Sequence, residues 1–253
     1  MFLLICLVCS TVRAGEIHNA AASGDLDKVR SLLDADPGLL ESKGNNGYTP
    51  LMVACRTLHV EIADYLIDKG ANVNAIGDGG MTPLFCFPYD KEAPFDLIQR
   101  LVGKGANVNA KLRLNRNWTV LVDFVVKGNI EVVKLLIDHG ADLDIRDIEG
   151  TPLQMAIHHE RNEDMAVSLV ESGAKLQEFS FGNTDLHLAA IWGFADLVPV
   201  LVRHGADVNA VNEYGHTPLY YAARHGYRKT AEALIAVGAE KSAIVETNYG
   251  KAP

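Results

Sequence analysis

Residues 205–219 of this 253-residue chain read GADVNAVNEYGHTPL and contain two marks that decide the fold. The first mark is a Gly-Ala pair followed by Asp and Asn residues, which favour turns. The second is Thr-Pro-Leu, which is typical of a helix start. A threonine at that point accepts a hydrogen bond from an unpaired backbone N–H, and a proline in the first turn removes no hydrogen bond.

Both marks recur along the chain with a nearly constant period. The threonines of a Thr-x-Leu mark are separated by 33, 37, 32, 33 and 33 residues. They are Thr49, Thr82, Thr119, Thr151, Thr184 and Thr217. A Gly-Ala pair follows each of them, at Gly70, Gly105, Gly140, Gly173, Gly205 and Gly238. Two independent marks with one period predict six copies of a single structural unit.

Each copy has the composition of two short helices. Small residues follow the Thr-x-Leu mark, as at Ala189 and Ala222, and allow helices to approach closely. Gly193 and Gly226 then predict the end of the first helix, because glycine enters the left-handed conformation without strain. The second helix is indicated by apolar residues at helical spacing, as in residues 132–137.

Together these marks resemble the ankyrin repeat, over about residues 16–250. The resemblance implies an all-α fold, an ankyrin-repeat solenoid of stacked antiparallel helix pairs with projecting hairpin-like loops. Residues 15–47 are expected to form a degenerate N-terminal capping repeat, because the end of a solenoid would otherwise expose an apolar face. Residues 48–253 are expected to contain six ankyrin repeats with an incomplete C-terminal end.

Three departures from the family pattern carry predictions. Pro88 and Pro94 are expected to shorten or distort the first helix of the second repeat. The fourth repeat has one extra residue between its helices. The histidine that the family places after Thr-Pro-Leu is present only as His187, so the sequence does not predict hydrogen bonding between repeats at that position elsewhere.

Composition excludes some partners. The formal net charge is -9, which argues against nucleic acid, because affinity for nucleic acid comes mainly from neutralising phosphates. No apolar run approaches the roughly 20 residues of a membrane-spanning helix. Beyond residue 14 the only cysteines are Cys55 and Cys86, which are expected to be buried apolar residues.

Residues 1–14 differ from the rest of the chain. An apolar run, Phe2 to Val8, precedes small residues at Val12 and Ala14, as in a cleaved signal peptide. The chain is then expected to be exported, to a periplasm or to the exterior, and otherwise to be cytoplasmic. A mis-assigned start codon or an apolar N-terminal tail is the alternative interpretation.

In a solenoid of this kind, the positions that packing leaves free are the loop tips and the last turn of each first helix, which line the concave face. Aromatic and apolar side chains at these positions gather in the last three repeats, and Trp, Tyr and Arg are the residue types that often anchor interfaces. The predicted partner-binding residues are His158, His159, Phe179, Phe181, Ile191, Trp192, Tyr214, His216, Arg224 and His225. The alternative is that Trp192 and Phe181 pack against neighbouring loops.

The sequence therefore predicts a monomeric protein–protein interaction module. The alternative is a docking or regulatory region of a larger polypeptide with a catalytic domain beyond Pro253. No catalytic motif is present, and no cofactor or metal site is expected, because nothing in the sequence fixes the neighbouring histidines in a ligand geometry.

Overall fold

A computed structural model describes residues 15–89, 91–113, 117–146 and 149–241. The predicted signal peptide and the end of the sixth repeat after residue 241 lie outside these residues. The chain divides into two compact units. The first unit comprises the described residues up to Asp123 with Asp138–Ala141, and the second comprises Phe124–Ile137 and the described residues from Asp142 onward.

Helices account for nearly all regular structure. Residues 15–23 form α1, and the other helices are α2 (Leu26–Ala35), α3 (Pro50–Thr57), α4 (Val60–Asp68), α5 (Phe95–Gly103), α6 (Val120–Val126), α7 (Ile130–Asp138), α8 (Pro152–Gln154), α9 (Glu163–Glu171), α10 (Asp185–Trp192), α11 (Leu197–Arg203), α12 (Pro218–Arg224) and α13 (Arg228–Ala236). Within the described ranges the only β contacts are two isolated bridges, one of which joins Glu178 and Thr184. The predicted all-α class is confirmed.

Within each unit the helices pack through small and branched apolar residues. In the first unit α3 packs against α4, and α4 packs against α2 and α5. In the second unit α10 packs against α12, and Ala189, Ala190 and Ala222 are fully buried there. Alanine permits this close approach without leaving a cavity. Cys55 and Cys86 are buried, as predicted.

The Thr-x-Leu mark starts helices as predicted. The Thr49, Thr151, Thr184 and Thr217 side chains each accept a hydrogen bond from the backbone N–H three residues later. The glycines that follow the first helices also adopt the predicted left-handed conformation, with φ of 83° at Gly193 and 74° at Gly226.

The second repeat loses its first helix, in agreement with the prediction from its prolines. Only a single 3₁₀ turn remains, at Pro83–Phe85, and Thr82 caps nothing. Phe85 and Phe87 are buried in this repeat, and Phe87 lies where the first, fourth, fifth and sixth repeats bury an alanine.

The fourth repeat accommodates its extra residue inside the first helix. After α8 the chain forms a π-helical turn over Met155–His159, and the Glu160 N–H donates to the carbonyl of Met155. The turn that closes the helix is wider by one residue than in the fifth repeat. The Asn162 N–H bonds to Ala156, six residues back, whereas the Phe194 N–H bonds to Ala189, five residues back.

Candidate partner-binding surface

The ends of the first helices in repeats four and five place aromatic and cationic groups together in the second unit. The Trp192 ring lies at the end of α10 and meets the His158 ring edge-on, with 5.7 Å between ring centroids. Phe179, from the preceding loop, contacts the other side of His158 at 5.4 Å. The guanidinium carbon of Arg161 lies 3.9 Å from the centroid of the Trp192 ring. We call these four residues the helix-end cluster.

Two polar atoms in the helix-end cluster are buried without a hydrogen-bond partner among the described residues. They are Nδ1 of His158 and Nε1 of Trp192. Burial lowers the pKa of His158, and the neighbouring His159 and Arg161 lower it further. The lowered pKa favours the neutral imidazole, and the two enclosed polar atoms leave their hydrogen-bonding capacity unused within the described residues.

Three loop residues and one buried helix residue form a second group in the same unit, which we call the loop-tip cluster: Phe181, Tyr214 and His216 from the loops, and Tyr220 from α12. Phe181 and Tyr214 are each 58% exposed, and their ring centroids are 5.8 Å apart. The His216 ring stacks on the Tyr220 ring at 3.8 Å and is parallel to it. The cluster holds large apolar groups in solvent at fixed positions, as binding surfaces do.

The C-terminal part of α12 and the turn after it connect the two clusters. Tyr221 contacts His216 at 5.7 Å and His225 at 6.5 Å, and His225 contacts Tyr227 at 5.9 Å. Tyr227 in turn lies against Gly193, where a Cβ atom would approach the Tyr227 ring to 2.8 Å. Only glycine therefore lets Trp192 and Tyr227 lie on adjacent turns.

A buried polar network supports the surface from below. His187 accepts from the Thr184 N–H through Nδ1 and bonds to the carbonyl of His216 through Nε2, at 2.9 Å. Such bonding, which the sequence does not predict for the other repeats, also occurs in the fourth repeat. There Gln154 replaces the histidine, accepts from the Thr151 N–H and donates to the carbonyl of Gln177. An amide replaces the imidazole because it also carries an acceptor and a donor.

Asp185 belongs to the same network and is almost fully buried. Its carboxylate accepts from the Gln177 N–H and from the Gln154 amide. Burial raises the pKa of Asp185 to about 6, although these two donors and Arg146 lower it. The carboxyl group therefore titrates close to neutrality.

The structure brings most of the predicted site residues together. His158, Phe179 and Trp192 meet in the helix-end cluster, and Phe181, Tyr214 and His216 meet in the loop-tip cluster. His159 is exposed, with Nε2 4.0 Å from Glu149, and Arg224 and His225 are exposed at the end of α12. Ile191 is partly buried and makes none of these ring contacts.

The sequence prediction missed four residues of this surface: Arg161, Tyr220, Tyr221 and Tyr227. The extra residue in the fourth repeat was a signal for Arg161, because it displaces the end of that helix. The tyrosines gave no signal of this kind, since their exposure depends on packing between helices.

The described residues show no grouping of three or more His, Cys, Asp or Glu side chains that could hold a metal ion. In the same part of the chain, no helix has both the length and the apolar character needed to cross a membrane.

A model of the family "Ankyrin repeats (3 copies)" matches residues 17–87, 90–180 and 175–244. The ankyrin repeat domain of Bcl-3, a member of the IkappaB protein family, superposes with a TM-score of 0.70 and 27% identity, over 87% of this chain and 97% of that domain.

Curated relatives are similar over only part of their own length. A Caenorhabditis elegans homolog of transient receptor potential cation channel subfamily A member 1 is 32% identical over 62% of this chain and 12% of its own length. The Gallus gallus nuclear factor NF-kappa-B p105 subunit is 28% identical over 73% of this chain and 19% of its own length. The chain therefore spans less than a quarter of either relative.

Proposed function

The chain belongs to the ankyrin-repeat family and is a protein–protein interaction module, and we propose that it binds its partner protein through the helix-end and loop-tip clusters of the second unit. The observation that carries this proposal is the aromatic run, a series of neighbouring rings that leads from Phe181 through Tyr214, His216, Tyr221 and His225 to Tyr227. It combines exposed apolar area with fixed geometry, and little conformational entropy is lost when a preformed surface binds.

We further propose that the module has no catalytic activity of its own. The ankyrin fold is typically a non-catalytic interaction module. The histidines of this surface make ring contacts and hydrogen bonds to backbone carbonyls. Nucleophilic catalysis requires a base beside a hydroxyl or thiol nucleophile. The imidazole of His187 lies 2.8 Å from the Thr184 hydroxyl oxygen, but that pair caps α10.

The test is affinity capture with a paired surface variant. Immobilised wild type and the double variant Phe181→Ser, Tyr214→Ser are compared on an extract of the source organism, and bound proteins are identified by mass spectrometry. Both side chains are mostly in solvent, so their removal leaves the fold intact. Trp192→Ala is a poorer probe, because that ring is partly buried and its loss also destabilises the helix-end cluster.

Ile76→Ser provides the matched control, because Ile76 is an exposed apolar residue of the first unit, with 50% of its surface in solvent. We expect a protein that wild type and Ile76→Ser retain equally and that the double variant loses. Equal retention by all three proteins would contradict the proposed surface.

A further inference from the structure

Four arginines of the second unit fall into two groups. On second helices they form ion pairs. Arg203 lies 2.6 Å from Glu171, and Arg228 lies 2.8 Å from Glu232. At the ends of first helices Arg161 and Arg224 are exposed, and in the described part of the chain neither forms an ion pair with a carboxylate.

Arg161 owes its position to the inserted residue of the fourth repeat. It occupies the left-handed position that ends the helix, with φ of 50°, and glycine holds this position in the fifth and sixth repeats. The π-helical turn moves this position one residue along the chain, and the guanidinium then stacks on Trp192. Stacking orients the planar group and leaves its N–H donors at the edge of the ring.

Arg224 is held in a similar manner on the other side of the surface. Its guanidinium lies 5.9 Å from the centroid of the Tyr220 ring, and Nη1 donates to the Tyr220 hydroxyl at 2.8 Å. One edge of the guanidinium is thus engaged, and the remaining donors are free for a ligand.

The charges around the two guanidinium groups are of both signs. His158 contacts Arg161 electrostatically, His159 follows it, and His225 adjoins Arg224. The acidic side chains of this region include Glu149, which faces His159 at 4.0 Å, and the exposed Glu160, Glu178 and Glu213. Arg161 and Arg224 are the cations that neighbouring aromatic rings orient.

We infer that the partner of this surface presents an acidic segment, whose carboxylates bind Arg161 and Arg224 while an aromatic or apolar side chain packs on the rings between them. This inference rests on the proposed binding surface and adds the chemistry of the partner. A carboxylate matches the forked donors of a guanidinium, and an ion pair near an apolar surface is less screened by solvent than one in open water. The net charge of -9 repels an acidic peptide in general, so its binding requires a local site.

The probe is a fluorescein-labelled peptide of repeated Glu-Gly-Tyr-Gly units, compared with its neutral Gln-Gly-Tyr-Gly analogue by fluorescence anisotropy at low and at physiological salt. The proteins are wild type, the double variant Arg161→Gln, Arg224→Gln, and the control Arg203→Gln. Arg203 already has a carboxylate partner. The control therefore removes one positive charge, as each test substitution does, but at a position outside the proposed site.

Wild type is expected to bind the glutamate peptide on the order of tenfold more tightly than the glutamine peptide. The double variant is expected to lose that preference, and Arg203→Gln is expected to keep it. Equal affinity for both peptides, no binding of either, or an equal loss in the Arg203→Gln control would overturn the inference. The affinity capture of the preceding experiment separates this inference from the proposed function. If the captured protein is lost from the Phe181→Ser, Tyr214→Ser variant but retained by the Arg161→Gln, Arg224→Gln variant, the inference fails and the proposed function stands.

Discussion

The second and fourth repeats both depart from the regular length, and the chain resolves the two departures differently. In the second repeat the first helix is reduced to a 3₁₀ turn, and the buried Thr82 hydroxyl has no partner among the described residues. In the fourth repeat the helix keeps its cap and absorbs one extra residue as a π-helical turn.

The difference shows what a helix can accommodate. Prolines remove backbone donors, so in the second repeat the helix is lost and larger side chains fill the core in its place. An inserted residue without proline only widens one turn, and the insertion then changes the surface. Such turns frequently occur at functional sites, and this one presents Arg161.

The largest effect is expected from the core of the second repeat. Phe87 is 2% exposed, so Phe87→Ala leaves a cavity. The free energy of unfolding should fall by about 3–5 kcal/mol, as measured by urea denaturation. A loss below about 1 kcal/mol would mean that this repeat collapses around the change and is not rigidly packed.

A pH-dependent effect is expected from Asp185, which accepts a hydrogen bond from Gln154 of the fourth repeat. Its pKa of about 6 in the folded chain exceeds the value of about 3.9 in an unfolded chain. The folded state therefore binds the proton more tightly, and the contribution of Asp185 to stability declines as pH rises from about 4 to about 6.

The comparison of wild type with Asp185→Asn isolates this contribution from that of His187, whose pKa burial lowers and which therefore acts in the opposite direction. Relative to wild type, Asp185→Asn should gain on the order of 2 kcal/mol in unfolding free energy between pH 4 and pH 7. Parallel stability curves for the two proteins would show that the carboxyl group has no perturbed titration.

The caps of the two irregular repeats should respond differently to one substitution. Thr151→Val removes the hydroxyl that accepts from the Gln154 N–H, at a cost of about 1 kcal/mol. Thr82→Val removes a buried hydroxyl that has no partner, so stability should be unchanged or slightly higher. Equal losses in thermal or urea unfolding would contradict the contrast between these repeats.

The smallest change in stability is expected for Arg161→Gly. Glycine relieves a left-handed residue, by about 1 kcal/mol, while the lost stacking on Trp192 costs about 0.5–1 kcal/mol. Stability should therefore change little while affinity for the glutamate peptide falls. A large loss of stability would assign Arg161 a mainly structural role.

Much of the fold was predictable from the sequence, because Thr-x-Leu and Gly-Ala act locally, as a cap and a turn. The loss of the helix before Pro88 was predictable for the same reason. The site was predicted less well. Trp192 and Tyr214 stand out by residue type, whereas the stacking of Arg161 on Trp192 depends on where the fourth repeat places its extra residue. The hydrogen bonds of Gln154 were missed because a comparison of residue identity does not show that an amide can replace the imidazole of the family histidine.

Site-specific photo-crosslinking tests most directly whether a partner protein binds at the loop-tip cluster of the second unit. A benzophenone-bearing residue is introduced at position 214 in the loop-tip cluster or, as a control, at position 76 in the first unit, and each protein is irradiated in an extract of the source organism. We expect a crosslinked protein at position 214 that is absent at position 76. Crosslinking at position 76 alone would place the partner on the first unit and contradict the account.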